Sequence, residues 1–276
     1  MICLVCALEV RDHERWCPNC FSDAGFPNVR AARRPEEAAA LEARYLSGIA
    51  HAERHGTRAI VEGYVSAVEG SMAVICRDYS TVVDLLSSEN QLYATFHALV
   101  EGQRRRPEPT EFDRDRRAAD SILFPYYERE IRFAVLSLDG GGAGFYGPVS
   151  MVLSPVAIAN RATVFEKNTL EFVRERNLGP GRPVPAGFRS DWTSKHKVAG
   201  AKSHTEITAT TGTADFPRIL LDGDRFIEVH IFGSLHRRSI TRIVMQRAAR
   251  KADLAFQSQI RDMIETDGLA IALETV

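Results

Sequence analysis

Residues 1–20 contain Cys3-Leu-Val-Cys6 and, ten residues further on, Cys17-Pro-Asn-Cys20. A two-residue gap lets both thiolates of a tight knuckle turn toward one ion. Two such knuckles complete the closed tetrahedral set that structural zinc prefers. Pro18 and Asn19 supply turn-forming residues inside the second knuckle. Cys3, Cys6, Cys17 and Cys20 are therefore the expected ligands of one zinc ion. With four thiolates bound, the ion keeps no open position for a catalytic water, so its role is structural. The alternative, a pair of disulfides in a secreted mini-domain, conflicts with the remainder of the chain. The N-terminus has no positive n-region, and Glu9, Arg11, Asp12 and His13 arrive before a signal-peptide core could develop. A cytoplasmic protein is expected. Cys76 stands apart in Met72-Ala-Val-Ile-Cys76 and reads as a buried strand thiol.

The chain has 276 residues, enough for one large domain or two modest ones with a sizeable core. Lys+Arg 35 against Asp+Glu 36 leaves a formal charge of -1, so any attraction to nucleic acid must come from a local patch. Arg30, Arg33 and Arg34 follow the ribbon while Glu9, Asp12, Glu14 and Asp23 lie within it, a pattern only suggestive of nucleic acid. At 45% hydrophobic and 26% charged, the composition excludes a disordered or fibrous chain. No apolar run approaches the roughly 18 residues of a membrane helix, so no membrane partner is expected.

Beyond the ribbon, at 1–34, Pro35-Glu-Glu opens a helix whose apolar positions Leu41, Tyr45, Ile49 and Ala52 stop near Gly56. Ile60, Val61, Tyr64, Val65 and Val68 form a second helical stripe, and Met72 to Cys76 a short strand. Helices are expected again at Thr81 to Leu86 and Leu92 to Val100. The connector Arg104-Arg105-Arg106-Pro-Glu-Pro sets a domain boundary, making 35–106 a helical segment. From 107 to 276 the texture becomes α+β with a mostly antiparallel sheet. Its expected strands are Ile131 to Leu138, Val149 to Leu153, Thr205 to Thr210, Phe226 to Phe232 and Ile240 to Met245. A helix from Ala248 to Ile264 and a short apolar tail close it.

Val135-Leu-Ser-Leu-Asp-Gly-Gly-Gly142 resembles the oxyanion loop of patatin-like lipases, but no G-x-S-x-G nucleophile elbow follows. No Gly-Lys-Ser/Thr follows either, which removes a P-loop. The glycines read as a strand-to-loop turn or as a loop that a ligand approaches.

Phe226-Ile-Glu-Val-His-Ile-Phe-Gly233, followed by Ile240-Thr-Arg-Ile-Val244, resembles the late strand of ADP-ribosyltransferases, where a glutamate precedes a β-branched strand and a short loop leads to the closing strand. Tyr146 to Leu153 and Arg161 to Asn168 are similar to bacterial transferase-like proteins. The resemblance spans residues 125 to 245 and implies an NAD-dependent transferase fold for the C-terminal domain. It implies that Glu228 is catalytic, since a carboxylate opposes the cation that develops on ribose as the nicotinamide bond breaks. It implies that Arg132 and Thr163 contact NAD; Arg161-Ala-Thr163 is a partial substitute for the family's Ser-Thr-Ser element. Phe226 departs from the Glu or Gln that members modifying arginine or asparagine carry two positions before the catalytic glutamate, which argues against those protein side-chain acceptors and leaves the substrate open. A surface strand glutamate beside Arg225, and a solvent-facing strand arginine, are the plainer readings of Glu228 and Arg132.

Arg182, Arg189, Lys195, Lys197 and Lys202, with Trp192 and His196 interleaved, offer cations near an aromatic plane. These are the ingredients for holding phosphates and stacking a base, or a solvated helix face. Arg189, Trp192, Lys195 and Lys197 are thus candidate acceptor-binding residues. The expectation is an ADP-ribosyltransferase, a toxin or phage-defence effector by resemblance, with a nucleic-acid or protein acceptor and an antitoxin as partners. The alternatives are an NAD glycohydrolase on the same fold and a noncatalytic binding module.

Overall fold

The computed structural model describes residues 1–94 and 111–276, with side chains of the second stretch from residue 115 onward. The connector at Arg104-Arg105-Arg106, and the expected helix at Leu92 to Val100 beyond its first residues, lie outside the described residues. Leu92 and Tyr93 are not helical: Leu92 bridges His236, and the Tyr93 amide donates to the Leu235 carbonyl at 2.8 Å.

The two knuckles form a ribbon in which Ile2 bridges Glu9 and Trp16 bridges Asp23. Ala7 and Phe21, each directly after a knuckle's second cysteine, both take left-handed backbone at φ 59° and 57°. The helices α1 (Pro27–Ala32), α2 (Pro35–Arg54) and α3 (Arg58–Glu69) follow, the first two with proline in the opening turn, where its missing N–H costs nothing. After β1 (Met72–Arg77) come α4 (Tyr79–Leu86) and α5 (Glu111–Leu123). The chain continues through β2 (Ile131–Ser137), β3 (Val149–Leu153), β4 (Ala162–Phe165), α6 (Thr169–Glu175), β5 (Arg189–Asp191), α7 (Lys195–Ser203) and α8 (Phe216–Leu220). A small hairpin, β6 (Leu221–Asp222) and β7 (Arg225–Phe226), leads into β8 (Glu228–Phe232) and β9 (Ile240–Met245), and then α9 (Lys251–Thr266) and β10 (Ala272–Thr275). Among the described residues no helix is long and apolar enough to cross a membrane.

The architecture is α+β. Among the described residues eight strands form one sheet in the order β10-β9-β3-β1-β2-β8-β4-β5, antiparallel at every junction except β10 against β9. β1, from the segment grouped in sequence with the helices, pairs with both β2 and β3 and so lies inside this sheet. Ala73, Ile75, Ala134, Leu136, Val229 and Ile231 share one core with Tyr64 and Val65 of α3, Val198 of α7 and Ile260 of α9. The alternate residues Val74, Cys76, Val135, Ile131 and Phe165 point to the other face. They are covered by the loop at Ala143 and by Ala119, Leu123 and Phe172 of α5 and α6.

The strand expected at Thr205 to Thr210 is absent: Thr208 and Thr211 bond each other locally, and Ile207 is the residue of that run that is buried. Threonines that satisfy their own backbone compete with a sheet ladder. β4 and β5, too short to announce themselves by alternation, were not among the expected strands.

Gly142 lies so close to β1 that a Cβ there would stand 2.2 Å from Cys76 Sγ and 3.0 Å from Val74 Cγ1, whereas Gly63 in α3 has nothing within 4 Å. In urea titrations Gly142→Ala is expected to destabilise by about 1–3 kcal/mol, with Cys76→Ala recovering most of it. Gly63→Ala is expected to stabilise by about 0.5–1 kcal/mol.

Candidate metal centre and buried carboxylate site

The four ribbon cysteines place their sulfurs within 4.8 Å of one another. Cys3 Sγ lies 3.6 Å from Cys20 Sγ, and Cys6 Sγ 3.5 Å from Cys17 Sγ. A disulfide requires about 2.0 Å, whereas tetrahedral zinc with bonds of about 2.3 Å sets its sulfurs about 3.8 Å apart. The separation fits a metal. Sulfur charge is met by local donors: the Val5 amide points at Cys3 Sγ at 3.4 Å, and Ser22 Oγ lies 3.2 Å from Cys3 Sγ and 3.1 Å from Cys20 Sγ.

The ribbon is bolted to the body through α1. The Arg30 guanidinium donates to five carbonyls, those of Glu14, Ala24, Gly25, Arg11 and Asp12, at 2.9–3.0 Å. Two residues earlier, Asn28 Nδ2 donates to the carbonyls of Arg161 at 3.0 Å and His230 at 3.1 Å and to Thr163 Oγ1 at 3.4 Å.

Glu228 occupies the sheet face away from the large core, only 2% exposed. Its Oε2 accepts from the Thr169 amide at 2.9 Å, Thr169 Oγ1 at 2.5 Å and His230 Nε2 at 3.0 Å. Its Oε1 faces Arg116 Nη2 at 3.5 Å. Arg116 also meets Asp120 at 3.2 Å and lies over the Phe133 ring at 4.2 Å. His230 is boxed by Phe124, Phe133 and Phe165, with ring centroids 4.8, 5.4 and 5.6 Å away. Burial works against the carboxylate charge, but Arg116, His230 and Thr169 outweigh it and hold Glu228 down at about 2. Tyr146 senses the same field: burial, then the Glu228 charge, pushes its hydroxyl above the ordinary tyrosine range. Tyr146 and Phe145 also approach Phe226 at 6.4 and 6.2 Å. Phe145 in turn lines a concavity of about 450 Å³ with Gly141, Gly142, Gly144, Arg218 and Leu221. The triple glycine is thus both a strand-to-loop turn, closed by Ser137 and Asp139, and a wall of open space.

The other residues expected at the site do not gather around Glu228. In the β2–β8 register Val135 pairs with Glu228 and Phe133 with His230, whereas Arg132 pairs with Ile231. Alternation therefore puts Arg132 on the opposite face, where it donates to the Glu130 and Arg129 carbonyls at 2.8 and 3.3 Å. Thr163 shares the Glu228 face but is sealed beneath Asn28, 3% exposed. Arg189 Nη2 reaches Glu37 at 3.4 Å, and Lys197 pairs with Glu42 at 2.5 Å. Lys195 lies over the buried Trp192 ring at 4.7 Å and donates to the Glu69 carbonyl at 2.7 Å. These cations fasten β5 and α7 to α2 and α3. Arg116 and Thr169, the partners that fix Glu228, were not anticipated. The Asn168 side chain caps the helix that Thr169 opens, a local sign that could have pointed there.

No protein-family model matches the chain, and no curated protein does.

Two outcomes are expected. Metal analysis should find one zinc per chain at the ribbon. Chelation should speed hydrogen exchange at the Cys17 and Ala24 amides while sparing β2 and β8, because metal binding is coupled to the folding of its own ligand loops. Glu228, held below its ordinary 4.5, stabilises the fold above that pH and loses this contribution as the pH falls from about 4.5 toward about 2. Glu228→Gln should cost about 3 kcal/mol near neutrality, the scale for leaving a buried partner uncompensated. The gap from wild type should narrow as acid is added, as read by denaturant titration at each pH.

Proposed function

We propose that the chain is an NAD-dependent ADP-ribosyltransferase whose Glu228 opposes the positive charge that develops on ribose. The observation that supports this reading most is the asymmetry of the carboxylate. Oε2 is saturated by three donors, which fix its position. Among the described residues, Oε1 has the single long contact to Arg116 at 3.5 Å. A substrate hydroxyl that donates to Oε1 would share that oxygen with Arg116 and leave the counter-ion in place, and the anion is already fixed, so the site does not have to reorganise as the cation forms. The strand's resemblance to ADP-ribosyltransferases names NAD as the donor. With Arg132 on the other face, Thr163 sealed and Arg116 held by Glu228 and Asp120, the donor's phosphates fall to the glycine-lined concavity beside Phe145, where Arg218 is the cation in the wall.

The ribbon's character bears on the acceptor. Leu4 is 97% exposed, Phe21 76% and Val5 72%, so the knuckle tips are apolar. Within 1–34, Glu9, Asp12, Glu14 and Asp23 face Arg11, Arg15, Arg30, Arg33 and Arg34, and four thiolates on a dication add negative charge, so the ribbon carries no basic excess. A surface with exposed apolar tips and no basic excess suits protein better than phosphate, so the acceptor is read as a protein.

The test incubates the zinc-loaded chain with NAD labelled in the adenylate, together with separate protein, RNA and DNA pools. Label on the protein pool is the expected result, and folded Glu228→Gln should transfer about 10²-fold more slowly. Free labelled ADP-ribose would select a glycohydrolase, and untouched NAD would leave a binding module whose Glu228 is structural.

A further inference from the structure

Three imidazoles stand in a row at the C-terminal ends of α2 and α7. His51 lies in the middle, its ring centroid 4.1 Å from that of His55 and 5.1 Å from that of His204. His55 Nδ1 is 2.8 Å from the His51 carbonyl, and His204 Nδ1 is 3.1 Å from the Ala201 carbonyl. A carbonyl can only accept, so both Nδ1 atoms carry the proton and both Nε2 atoms present a lone pair. A backbone carbonyl on Nδ1 is one of the partners that hold the tautomer of metal-ligating histidines. Among the described residues His51 Nδ1, which is buried, has no hydrogen-bond partner, an unmet polar atom at the centre of the row. Gly48 makes the cluster possible: a Cβ there would stand 3.0 Å from His204 Nδ1 and 3.2 Å from its Cγ. Burial, then His55 and His204, lowers His51 below the ordinary imidazole range, which favours the neutral form that a ligand needs. Arg54 is the cation that opposes an incoming ion, and it is exposed and free to turn outward.

We propose that His51, His55 and His204 form a second metal site, for a divalent ion with imidazole preference such as zinc, which clamps α2 to α7. Among the described residues the cysteines are the group whose ligand atoms already converge within 4.8 Å. Closing the histidine site therefore needs a side-chain turn, and His55, exposed beyond the end of α2, is the ring that makes it, giving up its Nδ1 bond to the His51 carbonyl. Tetrahedral zinc accepts three imidazoles with water in the fourth place.

The experiment uses the full chain with its ribbon loaded, dialysed against free Zn²⁺ at micromolar concentrations, with bound zinc counted and thermal unfolding recorded. Two zinc ions per chain and a zinc-dependent rise in Tm are expected, since an ion that binds only the folded state stabilises it. His55→Ala, at an exposed position that leaves packing intact, should weaken the second equivalent at least about tenfold, as loss of even an outer metal partner does. His51→Ala should abolish it, and lowering the pH below about 6 should release it from wild type as the imidazoles protonate. Saturation at one zinc per chain would overturn the proposal. So would a second equivalent that survives in the His51→Ala, His55→Ala, His204→Ala triple variant.

Discussion

A carboxylate with almost no water around it must be answered by its neighbours, and the second face of the sheet is arranged around that demand. Glu228 sits there because β8 alternates, sending Val229 and Ile231 into the large core and leaving Glu228 and His230 on the opposite side. Its charge is met from three separate pieces of chain: Arg116 from α5, the first turn of α6 at Thr169, and His230 two residues along its own strand. Removing any one leaves a buried ion short of partners, a far larger penalty than the contact itself contributes when intact. The demand explains why a helix as polar as α5 lies against a sheet at all: Ala119 and Leu123 provide modest apolar cover, and Arg116 provides the counter-ion.

What was legible in the sequence was local. The cysteine spacing predicts the ribbon because ligands three residues apart need no knowledge of the rest of the fold. The periodic stripes predict α2 and α3 because helical burial repeats within one segment. Strands β3 and β9 match their expected bounds for the same reason, each being a continuous apolar run between breakers. The α+β character follows from the same runs.

The candidate site was less legible because its geometry depends on pairing. Glu228 could be singled out from its strand, but Arg132 differs from a residue on the useful face by a single position, and only the β2–β8 register decides that parity. Arg116 contacts Glu228 across 112 residues, and nothing in a run of charges marks which arginine will be enclosed. The cations of α7 looked like a binding surface for the converse reason. Their partners Glu42 and Glu69 belong to α2 and α3, far away in sequence, and until those are known every lysine looks free.

The Asn28 contacts carry a consequence for the order of assembly. Asn28 reaches the Arg161 carbonyl 133 residues away and the His230 carbonyl 202 residues away. The knuckles need only their own loops and a metal ion, and they are complete early on a growing chain. Their seat on β4 and β8 is not. At translation rates of about 5–20 residues per second, those 202 residues separate the synthesis of Asn28 from that of its furthest partner by roughly 10–40 s. The ribbon is therefore ordered well before it can dock. In the interval, Phe26 and Val29, which the finished protein packs between ribbon and sheet, remain open to whatever chaperone or neighbouring chain is at hand.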